Sequence, residues 1–339
     1  MKTIVLQQAG KFEYTESTLD KNLKPDEALV KVHSIGICGT DFHAYAGNQP
    51  FFSYPRILGH ELGVEVMEVG AKVDHVKTGD RCSVEPYHNF GNDQAVRRGF
   101  TNCGENVSVL GVHQDGGMRE YLKIPASYLH KSDQLTYDQL ALIEPLGIGC
   151  HAVNRAQVTA QDDVLVIGAG PIGLAAIEFA VASGARVVSM DINEDRLHFA
   201  ASVMKIKGTV VANKEDTEVQ LRKQFDGDLP TIVFDATGNK HSMSKAMEYV
   251  ASAGKLVFIG LFQGDFSFHD PYFHRKEMTL MASRNALPSD FKQIIRMMEE
   301  GKINTDAWIT HRSSFEDMVG QFDRWLQPEA KVIKAIVSL

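Results

Sequence analysis

The chain has 339 residues, 44% of them hydrophobic and 23% charged, with a formal net charge of -8. Its length supports two domains with substantial cores, and its acidic balance argues against nucleic-acid or anionic-membrane surfaces, which require a basic face. No stretch reaches the roughly 20 apolar residues of a membrane span, the opening MKTIVLQQAG lacks a signal-peptide core, and the four scattered cysteines form no disulfide framework, so a reducing cytoplasm is expected.

In chain order, the first 145 residues offer glycine-punctuated strands: ALVKV (28–32), GVEVMEV (63–69) and DRCSVEP (80–86). Alternation of Val30 with Val32 and of Val64 with Val66 fits half-buried antiparallel strands, and long helical periodicity is sparse. The character changes near residue 160. DVLVIG (163–168) reads as a short apolar strand, followed by a helix over AGPIGLAAIEFAVASG closed by Gly184. Strand RVVSMD (186–191) and helix NEDRLHFAASVM follow, then GTVVA (208–212), a helix near 215–225, TIVFDATG (231–238), a helix near 240–251, KLVFIGL (255–261) and MTLMAS (278–283). Strands alternating with helices predict a parallel sheet covered on both faces. The tail adds helix SDFKQIIRMMEEG, a second near 315–326, and strand KVIKAIVSL, which is expected to return to the first domain.

Gly168-Ala169-Gly170-Pro171-Ile172-Gly173 is a GxGxxG turn set between strand and helix. Gly168 permits the tight turn, Gly170 lets the backbone approach a pyrophosphate, and Gly173 lets the helix pack on the sheet; the helix N-terminus then faces the anion. Asp191, 18 residues beyond Gly173, stands where a carboxylate bonds the adenosine ribose and repels a 2′-phosphate, which favours NAD. Arg196 lies five residues on and could instead support a phosphate.

In the β-rich half, Gly36-Ile37-Cys38-Gly39-Thr40-Asp41-Phe42-His43 places thiol, hydroxyl, carboxylate and imidazole within six positions, and Gly59-His60-Glu61 adds a second imidazole and carboxylate. Each cluster alone is weak: a lone cysteine is more often a small buried hydrophobe. Together, thiolate, imidazole and carboxylate would make a catalytic zinc site with one position open.

These paired clusters ahead of a dinucleotide fold resemble the zinc-dependent medium-chain dehydrogenases along essentially the whole chain. GICGTDFH and GHE match that family's two signatures, and LIEPLGIG (142–149) matches its polyol and threonine dehydrogenase branch. The resemblance implies an α/β architecture: a GroES-like β-rich catalytic domain over 1–148 and 286–339, interrupted by a doubly wound Rossmann NAD-binding domain over 149–285. It implies an active site in the cleft between them, with Cys38 and His60 as zinc ligands and Glu61 and Glu144 as carboxylates of the centre. Asp41 would orient the His60 ring. Thr40 would pass the substrate proton onward and His43 would relay it to solvent.

That branch oxidises secondary alcohols of polyols, sugar acids and threonine. GNQPFFSYPRILGHE (47–61), VLGVHQDGGMREYL (109–122) and MASRNA (281–286) look most like its L-galactonate dehydrogenase-like members, which favours a hexonate over threonine or a sorbitol-type polyol. Arg284 could pair with a sugar-acid carboxylate, with Tyr45, Phe52, Glu85 and His113 lining the remainder. A non-catalytic NAD-binding sensor is the alternative from another class, and it would leave the Thr40–His43 relay without a purpose. Homo-oligomers, dimeric or tetrameric, are expected by the same resemblance.

The stretch YHNFGNDQAVRRGFTNCGEN (87–106) stands where the family carries a structural zinc on C-x2-C-x2-C-x7-C. Laid on that spacing, the chain offers Phe90, Asp93, Val96 and Gly104, and Cys103 misses the fourth position by one residue. One zinc per subunit is therefore expected, with the lobe ordered by packing of Phe90, Val96 and Phe100 or by a neighbouring subunit.

Overall fold

A computed structural model describes residues 1–49, 52–212 and 216–339, so Pro50, Phe51 and the start of the helix expected from residue 215 lie outside the described residues. The chain forms two compact units, one of Met1–Glu144 with Ala286–Leu339 and one of Pro145–Asn285.

The first unit is built on the long strand Glu27–Ile37. It pairs antiparallel with Glu61–Val69, Tyr121–Pro125 and Lys334–Ser338. The register sets Val30 against Val66 and Val32 against Val64, all fully buried, while Lys31 faces Glu65 on the other side. This period of two gives the sheet one core face. The returning tail fills the same core with Phe315, Met318, Phe322 and Trp325, which is why it cannot stay with the second unit. A hairpin of Lys2–Gln8 and Lys11–Glu16 turns at Gly10, whose φ of +71° suits glycine.

Register also assembles the end of the sheet that matters. Gly36 lies opposite Glu61 on one side, and Ile37 lies opposite Ala335 on the other. The residues just past or beside these pairs, Cys38, His60 and Lys334, are thereby brought to the same edge of three neighbouring strands.

The second unit is a six-stranded parallel sheet in the spatial order Gly208–Val211, Arg186–Asp191, Asp163–Ile167, Ile232–Asp235, Lys255–Phe258, Thr279–Ala282. In chain order that is third, second, first, fourth, fifth, sixth, the doubly wound arrangement of dinucleotide-binding folds. Buried Leu165, Val188, Val233 and Leu256 make its strands read as continuous apolar runs rather than alternations. Helix Pro171–Ala182 follows the first strand and Glu194–Val203 the second, the latter capped by the Asn193 side chain accepting from the N–H groups of Asp195 and Arg196.

Candidate metal centre and nucleotide site

Helix Gly39–Tyr45 begins immediately after the long strand, with Cys38 at its N-cap position. The Cys38 N–H donates to Asp41 Oδ2 at 2.9 Å, which fixes the turn that presents the thiol. Among the described residues, the ligand atoms of Cys38, His60 and Glu61 lie within 4.8 Å of one another. His60 and Glu61 are buried and Cys38 is half-buried. The His60 Nδ1 faces Asp41 Oδ1 at 3.8 Å, longer than a hydrogen bond, and both atoms are buried without another partner. Asp41 thus stands beside the ring it was expected to orient without hydrogen-bonding to it.

Glu144, expected as a further carboxylate of the centre, lies outside the set whose ligand atoms fall within 4.8 Å of one another, although it interacts electrostatically with His60 and Glu61 from the start of helix Ile143–Ala156. Burial pushes its carboxyl up to about 7, against the pull of His60, and Glu61 adds to the rise. Its Oε1 accepts a hydrogen bond from the buried Tyr87 hydroxyl. Glu61 has a different partner, which the sequence did not reveal: Lys334 Nζ lies 2.6 Å from its Oε1 and 2.8 Å from its Oε2. Burial alone would lower the Lys334 pKa, but the charges of Glu61 and then Cys38 raise it, so the ammonium is retained. Gly36 makes this possible, because a Cβ there would sit 2.0 Å from Glu61 Oε2.

The donor set suits zinc. Sulfur, imidazole nitrogen and carboxylate oxygen converge, and among the described residues four groups that can carry negative charge (Cys38, Asp41, Glu61, Glu144) stand beside His60 and Lys334. A divalent cation would relieve that imbalance. Thr40 is half-buried and His43 exposed, three residues apart on one helix face that runs from the cluster toward solvent.

The nucleotide elements lie within the second unit. Gly168 has φ +97°, and a Cβ on Gly173 would fall 1.6 Å from the Gly168 carbonyl oxygen, so neither tolerates a side chain. Gly170 caps the helix with Pro171 at its first position and Ile172 next, and above Gly170 the nearest atom to an added Cβ is Arg196 Nη1 at 3.6 Å. Asp191 ends its strand buried, with Oδ2 accepting from Ala169 N–H at 2.7 Å and Oδ1 from Asn193 N–H at 2.8 Å. A cavity of about 350 Å³ gathers Gly168, Gly170, Asp191 and Arg196. Thr237, Asn239, His241 and Lys245 share its wall and were missed. Their sequence sign was position: Thr237 and Asn239 follow the carboxyl end of a parallel strand, where such folds bind ligands.

The residues named for substrate are dispersed among other partners. The Tyr45 hydroxyl donates to Asp323 Oδ1 at 2.8 Å and its ring stacks on Phe12. Phe52 packs edge-on against Tyr54. Glu85 is buried against His130 Nε2 at 2.8 Å, and His113 Nδ1 accepts from Val109 N–H. Arg284 is an exposed residue of the second unit.

The lobe is ordered differently from the expected apolar packing. Phe90 is 68% exposed. Instead Asp93 caps helix Gln94–Arg97, with Oδ1 accepting from Ala95 N–H (2.8 Å) and Val96 N–H (3.2 Å) and Oδ2 from Glu105 N–H (2.8 Å). Asn89 Nδ2 donates to the Thr101 carbonyl at 2.9 Å. Positions 93, 96 and 104 do converge: a Cβ on Gly104 would lie 2.7 Å from Val96 Cγ2 and 2.9 Å from Asp93 Oδ2. The Asp93 carboxylate and three backbone N–H groups thus tie this loop together.

Comparison with known proteins agrees with this geometry. The family model for the alcohol dehydrogenase GroES-like domain matches residues 24–134, and that for zinc-binding dehydrogenases matches residues 171–300. The chain belongs to the zinc-dependent medium-chain dehydrogenase family, and it is an oxidoreductase of the alcohol dehydrogenase type. It is 44% identical over 313 residues, 92% of each chain, to the L-galactonate-5-dehydrogenase of Escherichia coli K12. It is 29% identical to the sorbitol dehydrogenase of Bacillus subtilis over 93% of this chain and 91% of that one. Its fold superposes on the alcohol dehydrogenase RspB of E. coli CFT073, solved with NADH, with a TM-score of 0.93, 27% identity and 100% and 99% coverage.

Proposed function

We propose that the protein oxidises a secondary hydroxyl of a sugar acid, an L-galactonate-like hexonate, with NAD as hydride acceptor and one zinc per subunit. The observation that carries this reading is the convergent Cys38–His60–Glu61 cluster in a chain 44% identical to a protein named L-galactonate-5-dehydrogenase. Zinc, when bound, polarises a hydroxyl as a Lewis acid, and NAD supplies the electron sink.

The chain's own residues do the rest. Cys38, His60 and the carboxylates of Glu61 and Glu144 would hold the metal, with Asp41 facing the His60 ring at 3.8 Å. Thr40 accepts the proton of the substrate hydroxyl in its half-buried position, and exposed His43 delivers it to water. Gly168, Gly170, Pro171, Ile172 and Gly173 cradle the pyrophosphate, Asp191 addresses the ribose, and Arg196 flanks the same cavity. Arg284 is the guanidinium that would pair with the substrate carboxylate. Asp93, Val96, Gly104 and Phe90 provide at most one metal-binding side chain, which supports a single zinc. We further place the protein in the cytoplasm as a homo-oligomer.

A screen of NADH formation across hexonates, pentitols, hexitols and threonine tests the substrate, paired with metal analysis of the same preparation. Fastest turnover of a hexonate is expected. Fastest turnover of a hexitol would establish the sorbitol-type reading, which the 29% identity to a sorbitol dehydrogenase favours as the second choice. Two zinc ions per subunit would overturn the single-metal reading.

A further inference from the structure

The two glutamates at the metal centre are held by partners of different kinds. Lys334 engages both oxygens of Glu61. Tyr87 engages only Oε1 of Glu144, and among the described residues no hydrogen bond reaches Glu144 Oε2. Tyr87 is itself 2% exposed. Its backbone is fixed by strand pairing of Tyr87–Asn89 with Val107–Val109, and its ring meets Phe291 edge-on at 6.5 Å and 71°. A rigid, buried phenol aimed at one oxygen of a carboxylate selects one rotamer of that side chain. A carboxylate so held keeps its second oxygen available for a cation.

We propose that Tyr87 is the positioning residue of the metal centre: its hydroxyl anchors Glu144 through Oε1 and leaves Oε2 to meet the metal. This rests on the reading of Glu144 as a carboxylate of the zinc centre. The arrangement divides the labour between the two acids. Glu61 is paired through both oxygens with Lys334, and Glu144 through one oxygen with Tyr87. Such outer partners orient ligands as strongly as the ligands' own packing does, and their loss commonly weakens metal binding 10- to 100-fold, roughly.

The test compares Tyr87→Phe, Glu144→Gln and Phe291→Leu in the full-length protein. Zinc affinity is read by chelator competition, the electronic spectrum is read after cobalt substitution, and melting is followed in chelator. Tyr87→Phe keeps the ring against Phe291, so its metal-free melting should match the parent. Its zinc affinity should fall by about 10- to 100-fold and its cobalt spectrum should change. Phe291→Leu disturbs the same packing without touching the hydroxyl, and should melt earlier with zinc affinity unchanged. Unaltered affinity and spectrum in Tyr87→Phe, with both altered in Glu144→Gln, would overturn the role of Tyr87 alone. If Glu144→Gln is also without effect, the carboxylate is not part of the centre and the reading beneath the proposal fails as well. Equal losses of zinc affinity in Tyr87→Phe and Phe291→Leu would assign the effect to packing and overturn the proposal.

Discussion

Replacing Lys334 with methionine removes the ammonium that, among the described residues, alone touches Glu61. Both side chains are essentially solvent-free, at 2% and 0% exposure, so water cannot replace the lost partner. The change nearly preserves the length of the stem and leaves a buried carboxylate beside Cys38 and Glu144, which can carry the same sign of charge. Breaking a buried pair from one side costs about 3–5 kcal/mol, because the remaining charge is uncompensated. For a unit of this size that lowers the melting temperature by roughly 10 °C. The loss should be largest in metal-free protein, since a bound divalent cation supplies positive charge at the same carboxylate. Denaturant unfolding of parent and variant, each with chelator and with zinc, measures both values. Adding Glu61→Gln to the variant should recover much of the loss, because the orphaned charge then disappears. A metal-free loss below about 1 kcal/mol, or no recovery in the double variant, would show that the pair is not what holds this edge.

Burial holds His88 at about 4, below the ordinary imidazole value of 6.5. The unfolded chain therefore binds more protons between those values, so stability is complete above pH 6.5 and falls by up to about 3 kcal/mol as pH drops toward 4. His88→Gln should flatten that slope in unfolding measured across pH 4 to 7, and an unchanged slope would assign it to other groups. Asp93→Ala should speed amide exchange at Ala95, Val96 and Glu105 while leaving the parallel sheet protected; retained protection at those three amides would refute the capping hub. Asp191→Ala should raise the NADP-to-NAD ratio of kcat/KM, and an unchanged ratio would move cofactor choice to Arg196 or its neighbours.

The legible parts of this fold are those in which a local pattern has a single structural solution. Valine alternation at 30, 32, 64 and 66 fixed the buried face of the antiparallel sheet, and apolar runs between helices fixed the parallel one. Helix Ile143–Ala156 was readable only as a motif, because Pro145, Gly147 and Gly149 look like breakers. In the structure Pro145 lies in the first turn, where its missing N–H leaves no bond unmade. Gly149 meets the helix after the first Rossmann strand so closely that a Cβ would fall 2.4 Å from the Ala175 carbonyl carbon. The lobe illustrates the opposite limit. The absence of thiolates was plain, but the tying of the loop by one carboxylate and three N–H donors depends on loop geometry that no periodicity encodes.

Lys334 shows why part of the site was out of reach. In KVIKAIVSL it is one polar residue in an alternating strand, and the bland expectation is a solvated side chain. Its partner lies 273 positions away, and the pairing exists only because two registers coincide. Strand Lys334–Ser338 sets Ala335 against Ile37, and Glu61–Val69 sets Glu61 against Gly36. A one-residue slip in either would turn Lys334 or Glu61 to the opposite face of the sheet. The absent side chain at Gly36 then gives the carboxylate the space to reach across. The sequence motifs that mark the candidate cluster are thus necessary but incomplete: the long strand Glu27–Ile37 pairs with both neighbours that carry Glu61 and Lys334, and its Gly36 leaves the room their contact needs.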